Sequence, residues 1–254
     1  MSNDINQDVA KELVAQTAGK TYDDIAHPTA HATGQIISFI PRTIKVWLGK
    51  WEKWILNGEY AIKETEMLLS EKLKHIPEEK IVEPEPYVAV PALQQLSYSL
   101  NSEELRELYA NLLASSMNID KKGEVHPAFV DIIKQLAPDE AKLLKYFSSQ
   151  KVIPAIEIQL KSEDGNGFSI LEKLKVNIPA GILDIYDNYR VYIENLCRLQ
   201  LIEIPPDLHY TTESLYASLE NSVEYIGISR DRLNFNRKMI RVTQFGEKFT
   251  EICQ

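Results

Sequence analysis

Apolar residues in the first half of the chain recur at helical spacing and are punctuated by proline. From Pro41 to Leu56, the residues Ile44, Trp47, Leu48, Trp51, Trp54 and Ile55 share one helical stripe, and Pro41 sits in the first turn, where its missing N–H costs little. A second helix is predicted from Glu59 to Ile76, with Ile62, Leu69, Leu73 and Ile76 on one side. The run Ile81-Val82-Glu83-Pro84-Glu85-Pro86 interrupts helix, because each proline holds the residue before it in extended conformations, and Pro91 then opens a short helix. Asn101-Ser102-Glu103-Glu104 supplies an N-cap, and behind it Leu105, Leu108, Tyr109, Leu112 and Leu113 follow the pattern of a buried helical face. His126-Pro127 begins a helix burying Phe129, Ile132, Ile133 and Leu136, and Pro138 with Asp139 and Glu140 begins the next.

The period then changes. Val152 to Leu160 partly alternates and predicts a strand, and Asp164-Gly165-Asn166-Gly167 predicts a turn. A short helix from Ser169 to Lys175, a longer one from Ile182 to Gln200 and a strand at Leu201-Ile202-Glu203-Ile204 follow. Val223 to Ser229 and Met239 to Thr243 predict a hairpin, and Phe245, Phe249 and Ile252 line a closing helix. The expected fold is mainly α (α+β): a helical region over 1–136 and a winged-helix-like domain with a small antiparallel sheet over 137–254.

Several short motifs resemble the Abi-alpha family of bacterial abortive-infection proteins. They are Tyr22-Asp23-Asp24 with Pro28 and Gly34, Glu83-Pro84, Leu105-Arg106-Glu107-Leu108-Tyr109-Ala110-Asn111-Leu112-Leu113-Ala114, His126-Pro127-Ala128-Phe129 and Leu136-Ala137-Pro138-Asp139-Glu140-Ala141. Leu196-x-x-Leu199-x-Leu201-Ile202 and Ile240-x-Val242-Thr243-x-x-Gly246-x-x-Phe249 extend the resemblance over nearly the whole chain. The resemblance implies a bacterial or phage-related protein with a role in anti-phage defence, and it carries over no catalytic residue. One departure is Leu199-Gln200, where the family has Leu-Gly, the residue that makes a tight helix end.

Composition narrows the function classes. The chain of 254 residues is 44% hydrophobic and 26% charged, enough to bury a sizeable core. Its net charge of -9 disfavours broad nucleic-acid binding. Cys197 and Cys253 lack the close spacing of a metal site and are expected to be reduced, structural thiols in a cytoplasmic protein. No signal peptide or spanning helix is expected.

Candidate chemistry is sparse. Gly19-Lys20-Thr21 lacks the upstream glycine of a phosphate-binding loop, since Val14 stands there. Asp24, His27 and His31 share a helical face but lack a further metal ligand, and Pro28 interrupts them, so no metal or cofactor is expected. His126 is expected to cap a helix, and no nucleophile motif accompanies it, so the protein is read as non-enzymatic.

Two local charge anomalies remain. The helix 41–56 carries Arg42, Lys45 and Lys50 beside Trp47, Trp51 and Trp54, a pattern that either builds core or lies peripherally on a membrane surface. Arg230, Arg232, Phe235, Arg237, Lys238 and Arg241 cluster at the predicted hairpin tip, where a wing contacts DNA phosphates or a protein. Asp184, Asp187 and Glu194 outnumber Arg190 and Arg198 on the would-be recognition helix, so a protein partner is expected ahead of DNA. The oligomeric state is not specified.

Overall fold

The computed structural model describes residues 58–99, 101–164 and 166–254. The segment 41–56, the Gly19-Lys20-Thr21 motif and the trio Asp24, His27 and His31 lie outside the described residues. Eight α-helices and four strands are found among those described: α1 Gly58–Leu73, α2 Pro86–Tyr98, α3 Glu103–Ser116, α4 Ala128–Lys134, α5 Pro138–Ser149, β1 Ile153–Lys161, β2 Phe168–Val176, α6 Tyr189–Arg198, β3 Ile202–Glu203, α7 Ser214–Asn221, β4 Leu233–Val242 and α8 Gln244–Cys253. The fold is α+β. Among these residues no helix is long and apolar enough to cross a membrane.

Local capping chemistry sets the helix starts. Ser102 Oγ accepts from the Leu105 amide at 3.4 Å ahead of α3, and His126 Nδ1 accepts from the Ala128 amide at 3.1 Å ahead of α4. Pro138 opens α5, where Glu140 reaches back to the Ala137 amide at 2.8 Å. Thr243 Oγ1 accepts from the Gly246 amide at 2.9 Å at the start of α8. A Cβ at Gly246 would lie 2.0 Å from the Leu201 carbonyl oxygen, so only glycine admits this approach of α8 to the segment entering β3.

The main core draws on α1 to α5, α6 and α8, from Leu69 through Tyr109, Phe129 and Phe147 to Phe249 and Cys253. It also takes in Ile153, Ala155 and Ile240 at the inner end of the sheet. Asp139 and Glu140 are buried at the start of α5 and bind the segment leading into α6 and α6 itself. Asp139 accepts from the amides of Asp184 at 3.0 Å and Ile185 at 2.9 Å, and Glu140 from Asn195 Nδ2 at 2.8 Å.

Four sequence expectations are corrected. Residues 169–175 form strand β2 and not a helix, because pairing with β1 overrides their local helical pattern. Residues 223–229 form no strand. The unpredicted helix α7 precedes them, and β4 pairs instead with β1 and β3, in the order β2-β1-β4-β3 with every pair antiparallel. The helix expected from Ile182 begins only at Tyr189, since Asp139 ties the amides of Asp184 and Ile185 outside helical geometry. Helix α2 starts at Pro86 and contains Pro91, so Pro91 does not open it.

Candidate partner-binding surface

Strand alternation divides the outer half of the sheet into two faces. On one, Ile156, Ile158 and Leu233 meet Tyr216, Leu219 and Val223 of α7 and the residues after it in a second apolar cluster. Tyr216 locks α7 down, because its hydroxyl accepts from the Tyr210 amide and donates to the Lys238 carbonyl, both at 2.9 Å. The opposite face carries Glu157, Gln159 and Lys161 from β1. A hydrogen-bonded ladder crosses it: Lys238 Nζ to Glu157 at 2.7 Å, Gln159 Nε2 to Glu157 at 2.6 Å, and Asn234 Nδ2 to Gln159 at 2.8 Å. Burial pulls the Glu157 carboxyl up, but hydrogen bonds from Lys238, Gln159 and Asn236 outweigh it and hold it below its ordinary value.

The cations nominated at a hairpin tip do not form a tip. Arg230 and Arg232 occupy a 3₁₀ turn before β4, while Arg237, Lys238 and Arg241 lie within the strand on alternating sides. Arg237 Nε donates to Glu220 at 2.8 Å, and its guanidinium stacks 5.3 Å from the Tyr216 ring. The Glu220 bond holds Arg237 above its ordinary value. Lys238 meets Glu157, Arg241 Nε meets Glu203 at 2.5 Å, and Arg232 lies 3.7 Å from Glu163. Arg230 bonds Asn221 at 3.0 Å and lies 5.8 Å from the Phe235 ring. Each acid-bound cation would have to give up its carboxylate before meeting a phosphate.

The exposed hairpin is instead β1–β2, whose residues 161–164 and 168–171 are all exposed. Phe168 lies opposite Lys161 and Ile170 opposite Gln159, so both apolar side chains share the ladder's face, and they are 57% and 54% exposed. Leu171, Lys161 and Lys173 are also exposed, and Lys175 is half-buried. Sequence reasoning missed this surface because it assigned helix to 169–175. The signal was present in the Asp164-Gly165-Asn166-Gly167 turn flanked by two strand-compatible runs.

The inner end of β2 is covered. Arg190 Nε donates to the Leu174 carbonyl at 3.2 Å, the Tyr189 hydroxyl shares its one proton between that carbonyl and Glu172, each 3.0 Å away, and Glu172 also accepts from Arg190 and Tyr225. Burial pushes the Tyr189 hydroxyl up to about 12.

The family model described as abortive infection alpha matches residues 57–253. The chain belongs to this family. The motifs that carry the sequence resemblance fall on the elements above: Leu105 to Ala114 build α3, Leu136 to Ala141 build the buried carboxylate node, and Thr243 with Gly246 starts α8. Gln200, where the sequence resemblance leads one to expect glycine, takes the left-handed conformation with φ of 59°. The Leu201 amide bonds the Leu196 carbonyl at 3.0 Å and the Gln200 amide the Cys197 carbonyl at 2.9 Å, which closes α6 in a Schellman motif.

Comparison with curated proteins finds no match. Among solved structures, the chain is similar to an uncharacterized protein from the hydrocarbon-degrading marine bacterium Alcanivorax borkumensis SK2. The two share 19% identity over 49% of this chain and 90% of that one, with a TM-score of 0.33.

Proposed function

We propose that this abortive-infection alpha protein acts in anti-phage defence as a non-enzymatic sensor or effector, through protein contacts made by the β1–β2 hairpin. The observation that carries the proposal is the pair Phe168 and Ile170, more than half exposed on one face of this hairpin, with Lys161 opposite Phe168. Large apolar side chains grouped on an exposed face cost solubility and are the usual mark of a contact surface. A winged-helix-like module fits the order β1-β4-β3 with α6 leading into β3; β2 takes the place of a second helix, and α7 fills the long connection from β3 to β4.

The test is the double variant Phe168→Ser/Ile170→Ser in cells challenged with phage. Protection, measured as efficiency of plaquing, is expected to fall to the empty-vector level while Tm shifts by no more than about 2 °C. Full protection by the double variant would refute the proposal.

A further inference from the structure

The outer half of β2 combines a strand edge with exposed apolar side chains, and lysines lie on either side of it: Lys161 on β1 opposite Phe168, and Lys173 and Lys175 further along β2. β2 is an edge strand, with β1 on one side only. Over its inner half, Tyr189 and Arg190 take the Leu174 carbonyl, and two register irregularities opposite Ile156 to Gln159 bend the ladder. Over Phe168 to Leu171 every residue is exposed.

The charge near that edge is positive in a chain whose net charge is -9. Lys161, Lys173 and Lys175 form no ion pair among the described residues. The neighbouring acids are already engaged. Glu172 is held by Arg190 and two tyrosines, Glu163 faces Arg232, and Asp164 closes the turn through Ser162 and Asn166.

We infer that the outer edge of β2 takes an extended, acidic segment of a partner protein as an added strand, with apolar residues of that segment seated on Phe168 and Ile170. This deepens the hairpin proposal above and rests on it. Edge lysines repel a second identical edge, which is how sheets avoid self-association, and the same lysines attract a strand of glutamates. The segment's backbone would satisfy the free edge, and the carboxylates on the face opposite its apolar residues would meet Lys173 and Lys175, with Lys161 adding positive charge at the end of the apolar face.

The test titrates the full chain with a fluorescein-labelled, capped eight-residue peptide alternating Val and Glu, followed by anisotropy and by amide hydrogen exchange. Saturable binding is expected, with slowed exchange at Ser169 to Leu171. Binding should fall at least about tenfold for a Val/Lys peptide, and by about tenfold for Lys161→Glu/Lys173→Glu/Lys175→Glu. The milder Lys173→Gln/Lys175→Gln should fall between, and a peptide N-methylated on alternate amides should not bind. Equal binding of the acidic and basic peptides, no binding of either, or displacement by oligothymidylate or anionic vesicles would overturn the inference. If Phe168→Ser/Ile170→Ser abolishes protection while the acidic peptide fails to bind, the acidic-strand inference falls and the hairpin surface stands. If that variant protects fully, the surface falls too.

Discussion

β2 and β4 flank the same strand, β1, yet they handle charge in opposite ways. The turn and strand of β4 carry five cations within twelve residues, and four of them meet a carboxylate supplied by β1, β3, α7 or the β1–β2 turn. The fifth, Arg230, packs on Phe235 and bonds Asn221. β2 carries only Lys173 and Lys175, and neither has an acid partner among the described residues. The strand that looks basic in sequence is therefore neutralised, and the one that looks unremarkable keeps two lysines without acid partners further along from exposed Phe168 and Ile170. A count of cations says nothing about the field at a surface until their partners are known.

Substitutions can break this contrast or sharpen it. The largest effect is expected at Tyr216, which is fully buried and fastens α7 to β4. Tyr216→Ala should cost about 3 to 5 kcal/mol in chemical denaturation by opening the second apolar cluster and freeing Arg237 from its ring. A loss under 1 kcal/mol would mean that α7 adds little to the sheet.

Next comes a matched pair of lysines. Lys238→Ala strands the buried Glu157 and should cost about 2 kcal/mol, whereas Lys173→Ala should stay within about 0.5 kcal/mol. The pH dependence separates them further. The Glu157 carboxyl is held below its ordinary value in the folded protein, so its contribution is fully present above the unfolded carboxylate value of 4.5 and is lost as pH falls through the lower folded value. Lys238→Ala should flatten that acid limb and Lys173→Ala should leave it unchanged.

The smallest effect is at the entrance to β3. Gln200 holds a left-handed conformation that glycine adopts freely, so Gln200→Gly should raise stability by about 1 kcal/mol, read as a rise in denaturation midpoint.

Much of the helical half was legible because its signals are local. Ser102 and His126 each accept from an amide within a turn, Pro138 fits the first turn of α5, and the buried positions of α3 and α4 follow from helical period alone. The sheet was legible only in part. β1 and β3 were found near their true places, but β2 was taken for a helix because its two register irregularities break the alternation that marks a strand. The start of α6 was misplaced for a related reason: the carboxylate that stops it, Asp139, lies 45 residues before Asp184.

The sequence by itself determined the family, the α+β class and the helix caps at Ser102 and His126, since each depends on a few neighbouring residues, whereas the need for glycine at position 246 comes from the Leu201 carbonyl 45 positions away. Only the tertiary structure decided which strands pair, which cations are quenched and which apolar residues stay in water. Those outcomes depend on contacts between residues far apart in the chain, such as Lys238 with Glu157, 81 positions away, and no local pattern encodes them.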